Sequence, residues 1–225
     1  MQSASMTQPR KTESALPRPF LLAGLMAPVL FTAVYLIDGA TRPDYNPLIQ
    51  WVSHLSLGPR GWLGILNLAA AGMLTLAFAQ GLRQTLKPGK RTRWAVRLVF
   101  LAGIGWLLGA AFPMDPNLGY PPGAKAANGS WHDNLHNLAA FLVVGAFVAT
   151  PFLLRTYFNR TWWKRYSTAT SVGVLASFIV TSTLVTLDYA HVYHPAPSGL
   201  MERVALTLGF AWIGVLAVLT LKDAE

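Results

Sequence analysis

Cysteine is absent from the 225 residues, and charge is scarce at 12% Asp, Glu, Lys and Arg. The first absence excludes disulfides, thiolate metal sites, iron–sulfur clusters and cysteine nucleophiles. The second says more, because soluble globular domains carry about 25% charged residues. So little charge beside 53% apolar residues argues against a soluble enzyme, a disordered chain and a nucleic-acid reader. The net charge of +9 therefore needs a different explanation. A GxSxG-like elbow is missing too, so a serine-hydrolase reading would rest on nothing specific.

In place of charge there are six long apolar runs. A membrane helix needs about 20 mostly apolar residues, and the stretches 20–37, 62–82, 94–112, 132–154, 168–187 and 204–221 qualify. The expected fold is all-α and polytopic: a six-transmembrane-helix bundle in one domain over 19–221. A polar, disordered tail is expected at 1–18 and a short tail at 222–225. The first apolar run follows Arg10, Lys11 and Arg18 but is too long for a secretory core and lacks a small-x-small cleavage site, so it counts as a helix.

Basic residues in short loops set orientation. Of the 18 Lys and Arg, only Arg42, Arg60, Lys125 and Arg203 fall on one side of the six spans, and 14 fall on the other. That bias places both termini in the cytoplasm. It also turns the positive charge into a topology device facing anionic lipid. Trp62, Trp94, Trp131, Trp162 and Trp163 fall at span edges, where an amphipathic ring prefers to sit.

The same sorting puts all five histidines on the outer side, with Asp38, Asp44, Asp115, Asp133, Asp188 and Glu202. No acid or histidine lies mid-span, which argues against a proton-coupled pump or a voltage sensor. Histidines on one face only also argue against a haem carrier. Within spans, Gly103, Gly105 and Gly109, and Ala69 to Gly72, form small-residue surfaces for close helix packing. Asn67 and the Ser and Thr of the spans are expected to hydrogen-bond between helices.

Three outer segments carry candidate chemistry. In the first loop, Asn46 and Pro47 start a helix and Gly58-Pro59 stops it. The reading is a short amphipathic helix at 47–57, lying at the interface with Gln50, Ser53 and His54 on its polar face. The third span ends at a proline-flanked Asp115, a candidate cap or a functional carboxylate. It leads into a Gly/Pro-rich loop of about 18 residues, long enough to act as a lid or simply to be mobile. Asn128-Gly129-Ser130 there is a weak formal glycosylation acceptor. In Trp131-His132-Asp133-Asn134-Leu135-His136 the two histidines are i, i+4 neighbours, a spacing that lets two imidazoles share a metal. Catalytic zinc usually takes three protein ligands, and the third would come from Asp115, His54, Asp188, His191 or Glu202. The alternative is that His132 and His136 bond carboxylates and backbone at a wet helix end. Asp188 and His191 would share a face if the fifth span continues that far.

Asp44-Tyr45-Asn46-Pro47-Leu48, Val52-Ser53, Ser56 to Trp62, Phe112-Pro113-x-Asp115-Pro116, Gly119 to Gly123 and Trp131-His132 through Leu135-His136 form a specific series. In this combination the chain resembles the bacterial and archaeal membrane proteins grouped as domain-of-unknown-function family 998, over about residues 20–221. The resemblance implies a six-helix protein of the cytoplasmic membrane and no particular reaction; it also implies that His54 is a variable polar site. A looser likeness, with helix count and order that do not match, links it to zinc-dependent membrane hydrolases of the alkaline ceramidase and adiponectin-receptor type. That likeness casts Ser53, Asp115, His132 and His136 in catalytic or metal-binding roles.

Two function classes follow. One is a non-enzymatic binding, accessory or structural membrane protein whose outer polar cluster is a clasp. The other is a zinc-dependent hydrolase of a lipid or lipid-linked substrate, with His132, His136 and Asp115 on the metal, Asp115 or Ser53 assisting, and bound water as nucleophile.

Overall fold

The computed structural model describes residues 18–127 and 129–223. The expected N-terminal tail up to residue 17, the Asn128 acceptor and residues 224–225 lie outside the described residues. Six helices carry the chain: α1 (Arg18–Ala40), α2 (Gly61–Thr85), α3 (Lys90–Ala111), α4 (Trp131–Leu154), α5 (Thr161–Tyr189) and α6 (Ser198–Asp223). All six are long and apolar enough to cross a membrane, which makes this a multi-pass membrane protein. They outrun the predicted spans because polar ends such as Thr161–Tyr166 stay helical beyond the apolar stretch.

Each helix packs on the next, and α6 returns to α1, so the six close a ring in chain order. The short connections from α2 to α3, α4 to α5 and α5 to α6 favour that arrangement. Small residues set the spacing. A Cβ on Gly72 or Gly103 would lie 2.7 Å from Leu107 or Leu76, and one on Gly105 would lie 2.8 Å from the Ala139 carbonyl. Backbones can approach this closely only where side chains are missing.

Aromatic rings fill the middle of the ring. Trp106 stacks on Phe210 at 5.5 Å, and Phe31 lies 4.8 Å from Trp106 and 5.0 Å from Phe210. Phe147 leans onto Phe210 at 5.3 Å, over Gly209, where a Cβ would come within 2.0 Å of the ring. Asn67 donates to the Phe31 carbonyl, and Trp212 to Ser167, both between helices as expected. The hydroxyls of α5 behave differently. Thr181, Ser182, Thr183 and Thr186 all donate to the carbonyl four residues back, the local bond open to Ser and Thr where no neighbour offers an acceptor.

Trp163 departs from its expected place at the interface. It is fully buried, stacks on Trp212 at 5.3 Å and donates to the Leu154 carbonyl. The chain turns into α5 there, and an indole N–H caps the end of α4. Trp62, Trp94, Trp131 and Trp162 remain about half exposed or more.

The helix expected at 47–57 is also replaced. A turn at 47–49 leads into a 3₁₀ turn, η1 (Val52–Ser56), whose Val52, His54, Leu55 and Ser56 are buried. It plugs the end of the bundle instead of lying on the interface. Glycines seat it: a Cβ on Gly61, Gly64 or Gly199 would come within 2.5 Å of its backbone or that of Gln50.

Candidate functional site

The C-terminal ends of α1, α3 and α5 and the N-terminal ends of α2, α4 and α6 form one rim, which carries every histidine. Side chains from distant parts of the chain tie the η1 plug into it. Arg42, only 7% exposed, donates from Nε and Nη2 to Asp38 Oδ2 at 3.1 and 2.7 Å. Its remaining N–H groups reach the carbonyls of Leu55, Leu57 and Arg60 and the Tyr120 hydroxyl. Burial alone would lower Arg42, but Asp38 and Tyr120 outweigh it and raise the guanidinium above its ordinary value. Arg60 donates to the other Asp38 oxygen at 2.7 Å.

On the opposite flank Arg203 donates to the carbonyls of Pro47, Gln50 and Gly199 and to the Tyr45 hydroxyl. Burial raises the Tyr45 hydroxyl well above its usual value, against the lowering pull of Arg203. His54 is the pin between two loops. Nδ1 accepts from the Trp51 N–H at 2.9 Å, so Nε2 carries the proton and donates to Asn117 Oδ1 at 2.9 Å. Burial pushes its pKa down to about 4. Gln50 donates to the Leu118 carbonyl, so residues 112–120 are sewn to the plug, while 122–127 are exposed.

Asp115 is a cap. Its two oxygens accept from the N–H and hydroxyl of Ser130 at 3.0 and 2.8 Å, and Ser130 in turn accepts from the Asp133 N–H to start α4. Asp133 accepts from the Asp115 N–H at 3.0 Å. His132 stands beside this pair, its Nδ1 3.0 Å from Ser130 Oγ and 3.6 Å from Asp115 Oδ1. His136 turns elsewhere and donates from Nδ1 to the Phe112 carbonyl at 2.9 Å. The structure thus joins His132 to Asp115 and separates His136 from both. Among the described residues there is no group of three or more His, Asp or Glu side chains placed to hold a metal ion. The i, i+4 spacing is there, but each ring is claimed by a different backbone or cap partner.

The helix does not continue far enough for Asp188 and His191 to share a face. α5 stops at Tyr189, His191 adopts a positive φ of 54°, and Asp188 instead accepts from His194 Nδ1 at 2.8 Å and from the Ala196 N–H.

Beneath the plug lies a cavity of about 320 Å³, bordered by all six helices and η1. That volume falls at the small end of the ~300–1,000 Å³ typical of ligand sites. Most of its wall is apolar, from Phe31, Leu68, Trp106, Val143, Val144, Ala205 and Leu206. Polar groups gather under the plug: Ser53 from η1, Glu202 from α6, and His136 and Asn137 from α4. Glu202 accepts from the Val52 N–H at 2.7 Å through one carboxyl oxygen. Asn137, Ala140 and Phe141 on α4 and Ser182 on α5 border the cavity and are exposed on the flank of the bundle. The cavity therefore opens sideways between α4 and α5, where Phe141 and Phe178 meet edge to face at 5.6 Å.

Of the residues singled out from the sequence, Ser53, His136 and Glu202 share this cavity. Asp115, His132, His54, Asp188 and His191 are not among its lining. Sequence reasoning passed over Arg42 and Arg203 as ordinary loop and helix-end charges. The i, i+4 spacing of Asp38 and Arg42 was the one available sign of a buried pair.

No curated protein and no solved structure matches the chain. A family model described as "Protein of unknown function (DUF998)" matches residues 25–219, and the chain belongs to that family.

Proposed function

We propose that this protein is a non-enzymatic binding protein for a lipid-like amphiphile, held in the cavity between its six helices and entering from the bilayer between α4 and α5. The observation that carries this reading is the cavity itself: mostly apolar in its lining, with Ser53, His136 and Glu202 among its few polar groups, and open on a flank that faces lipid. An acyl or similar chain would lie among Phe31, Trp106 and Val143, with its polar end near Ser53, His136 and Glu202. We place the protein in a bacterial or archaeal cytoplasmic membrane with the histidine-bearing rim outward, on the strength of the 14 basic residues gathered at the opposite side.

The hydrolase reading would need one zinc ion on His132, His136 and Asp115. The separate partners of the two imidazoles, and the capping role of Asp115, favour binding over catalysis. The test is native mass spectrometry of the full chain released from lipid nanodiscs. Wild type should carry about one amphiphile per chain, and Ala140→Trp, which fills the cavity mouth, should lose it while unfolding at an unchanged temperature. Equal occupancy in both, or an empty wild type that takes nothing up from vesicles, would overturn the reading.

A further inference from the structure

We propose that the occupant's head is a cationic amine, and that anionic heads are rejected. This rests on the cavity being a ligand site. Its polar end offers more free acceptors than donors. Glu202 spends one oxygen on the Val52 N–H, and its other oxygen has no partner among the described residues. No Lys, Arg or His nitrogen of the described residues lies within 4.0 Å of that carboxylate. The neighbouring Arg203 is committed to three carbonyls and a phenol.

His136 points the same way. Its Nδ1 must carry a proton to bond the Phe112 carbonyl, which leaves Nε2 of the neutral ring as an acceptor. Asn137 spends one of its two amide N–H groups on Asp133, which leaves its carbonyl and one N–H. The hydroxyls of Thr181 and Ser182 are already donated to their own helix. Free donors are fewer: the Ser53 hydroxyl, the second Asn137 N–H, and the Trp106 indole N–H, buried and without an acceptor among the described residues. That indole belongs to the aromatic cluster, not the plug.

A phosphate or carboxylate head would meet the Glu202 carboxyl and several lone pairs, while the Arg203 donors are already engaged with carbonyls and a phenol. Such like-charge contact is how a site rejects a wrong ligand. A primary ammonium brings three donors to these acceptors and a charge opposite to that of a carboxylate.

The experiment offers the full chain in nanodiscs three probes of equal chain length: dodecylamine, dodecan-1-ol and dodecanoate. Retention is read by native mass spectrometry. The amine should be retained about tenfold better than the alcohol, the share of one charge-assisted hydrogen bond, and the carboxylate least of all. Glu202→Gln keeps a carbonyl for the Val52 N–H but loses the charge, and should bring amine and alcohol within about twofold. Equal retention of amine and alcohol by wild type, or a preference for the carboxylate, would overturn the head-group proposal while leaving the cavity as a chain-binding site. No retention of any probe, with Ala140→Trp behaving as wild type, would instead bring down the cavity reading. If Glu202→Gln fails to fold, the three-probe comparison on wild type still decides.

Discussion

Acidification should loosen the plug through His54, and the size of the effect can be worked out. In the unfolded chain the imidazole titrates near 6.5; in the fold, burial holds it at about 4. A base depressed in the folded state stabilises fully above the unfolded pKa and loses that contribution as pH falls toward the folded one. Between these values the unfolded chain binds the extra proton, so stability falls by about 1.4 kcal/mol per pH unit. The interval gives a loss of about 3 kcal/mol between pH 6.5 and pH 4. Protonation would also put a hydrogen on Nδ1, the acceptor for the Trp51 N–H, so the 3₁₀ turn loses its hinge. Carboxylates titrate in part of the same window, so the assay must be differential. Equilibrium unfolding in mixed micelles, run at several pH values on wild type and His54→Gln, isolates the term. The variant is expected to be less stable at pH 7 but to show a pH slope shallower by about one proton over this range. Identical slopes would show that a neutral, buried His54 does not hold the plug.

Arg42→Met should cost about 3 kcal/mol, since it strands the buried Asp38 carboxylate with only the half-exposed Arg60, whereas Arg60→Ala should cost under about 1 kcal/mol; unfolding of both in the same micelles checks the order. Ser130→Ala removes the α4 cap and a donor to Asp115 and should cost about 1 kcal/mol, with amphiphile binding retained because neither residue lines the cavity. Gly209→Ala would drive a methyl into the Phe147 ring and should destabilise by about 1–3 kcal/mol, seen as a lower unfolding temperature.

The bundle was legible because membrane insertion demands about 20 consecutive apolar residues, and such runs need no knowledge of their neighbours. The small-residue surfaces of α2 and α3 were legible for the same local reason. The plug was not. Its fate depends on Glu202, which caps Val52 from 150 residues away, and on Arg203, 158 residues from Tyr45. Amphipathic spacing over 47–57 looked like a surface helix because the partners that draw it inward are invisible in the local pattern. The histidine pair shows a further limit. Spacing fixes which face two side chains share, but not whether a carbonyl such as that of Phe112 has already claimed one ring. The cavity left no sequence signal, since a void is a property of how six helices meet and of no single one.

Photolabelling tests the central claim most directly. The full chain in nanodiscs would be irradiated with a dodecylamine carrying a chain-terminal diazirine, and adducts mapped by peptide mass spectrometry. Labelling concentrated on Val143, Val144, Leu206 and their neighbours, and abolished by Ala140→Trp, is the expected result. Adducts spread evenly over lipid-facing residues such as Val29, Leu66 and Val172, unchanged in the variant, would show that the cavity holds no ligand.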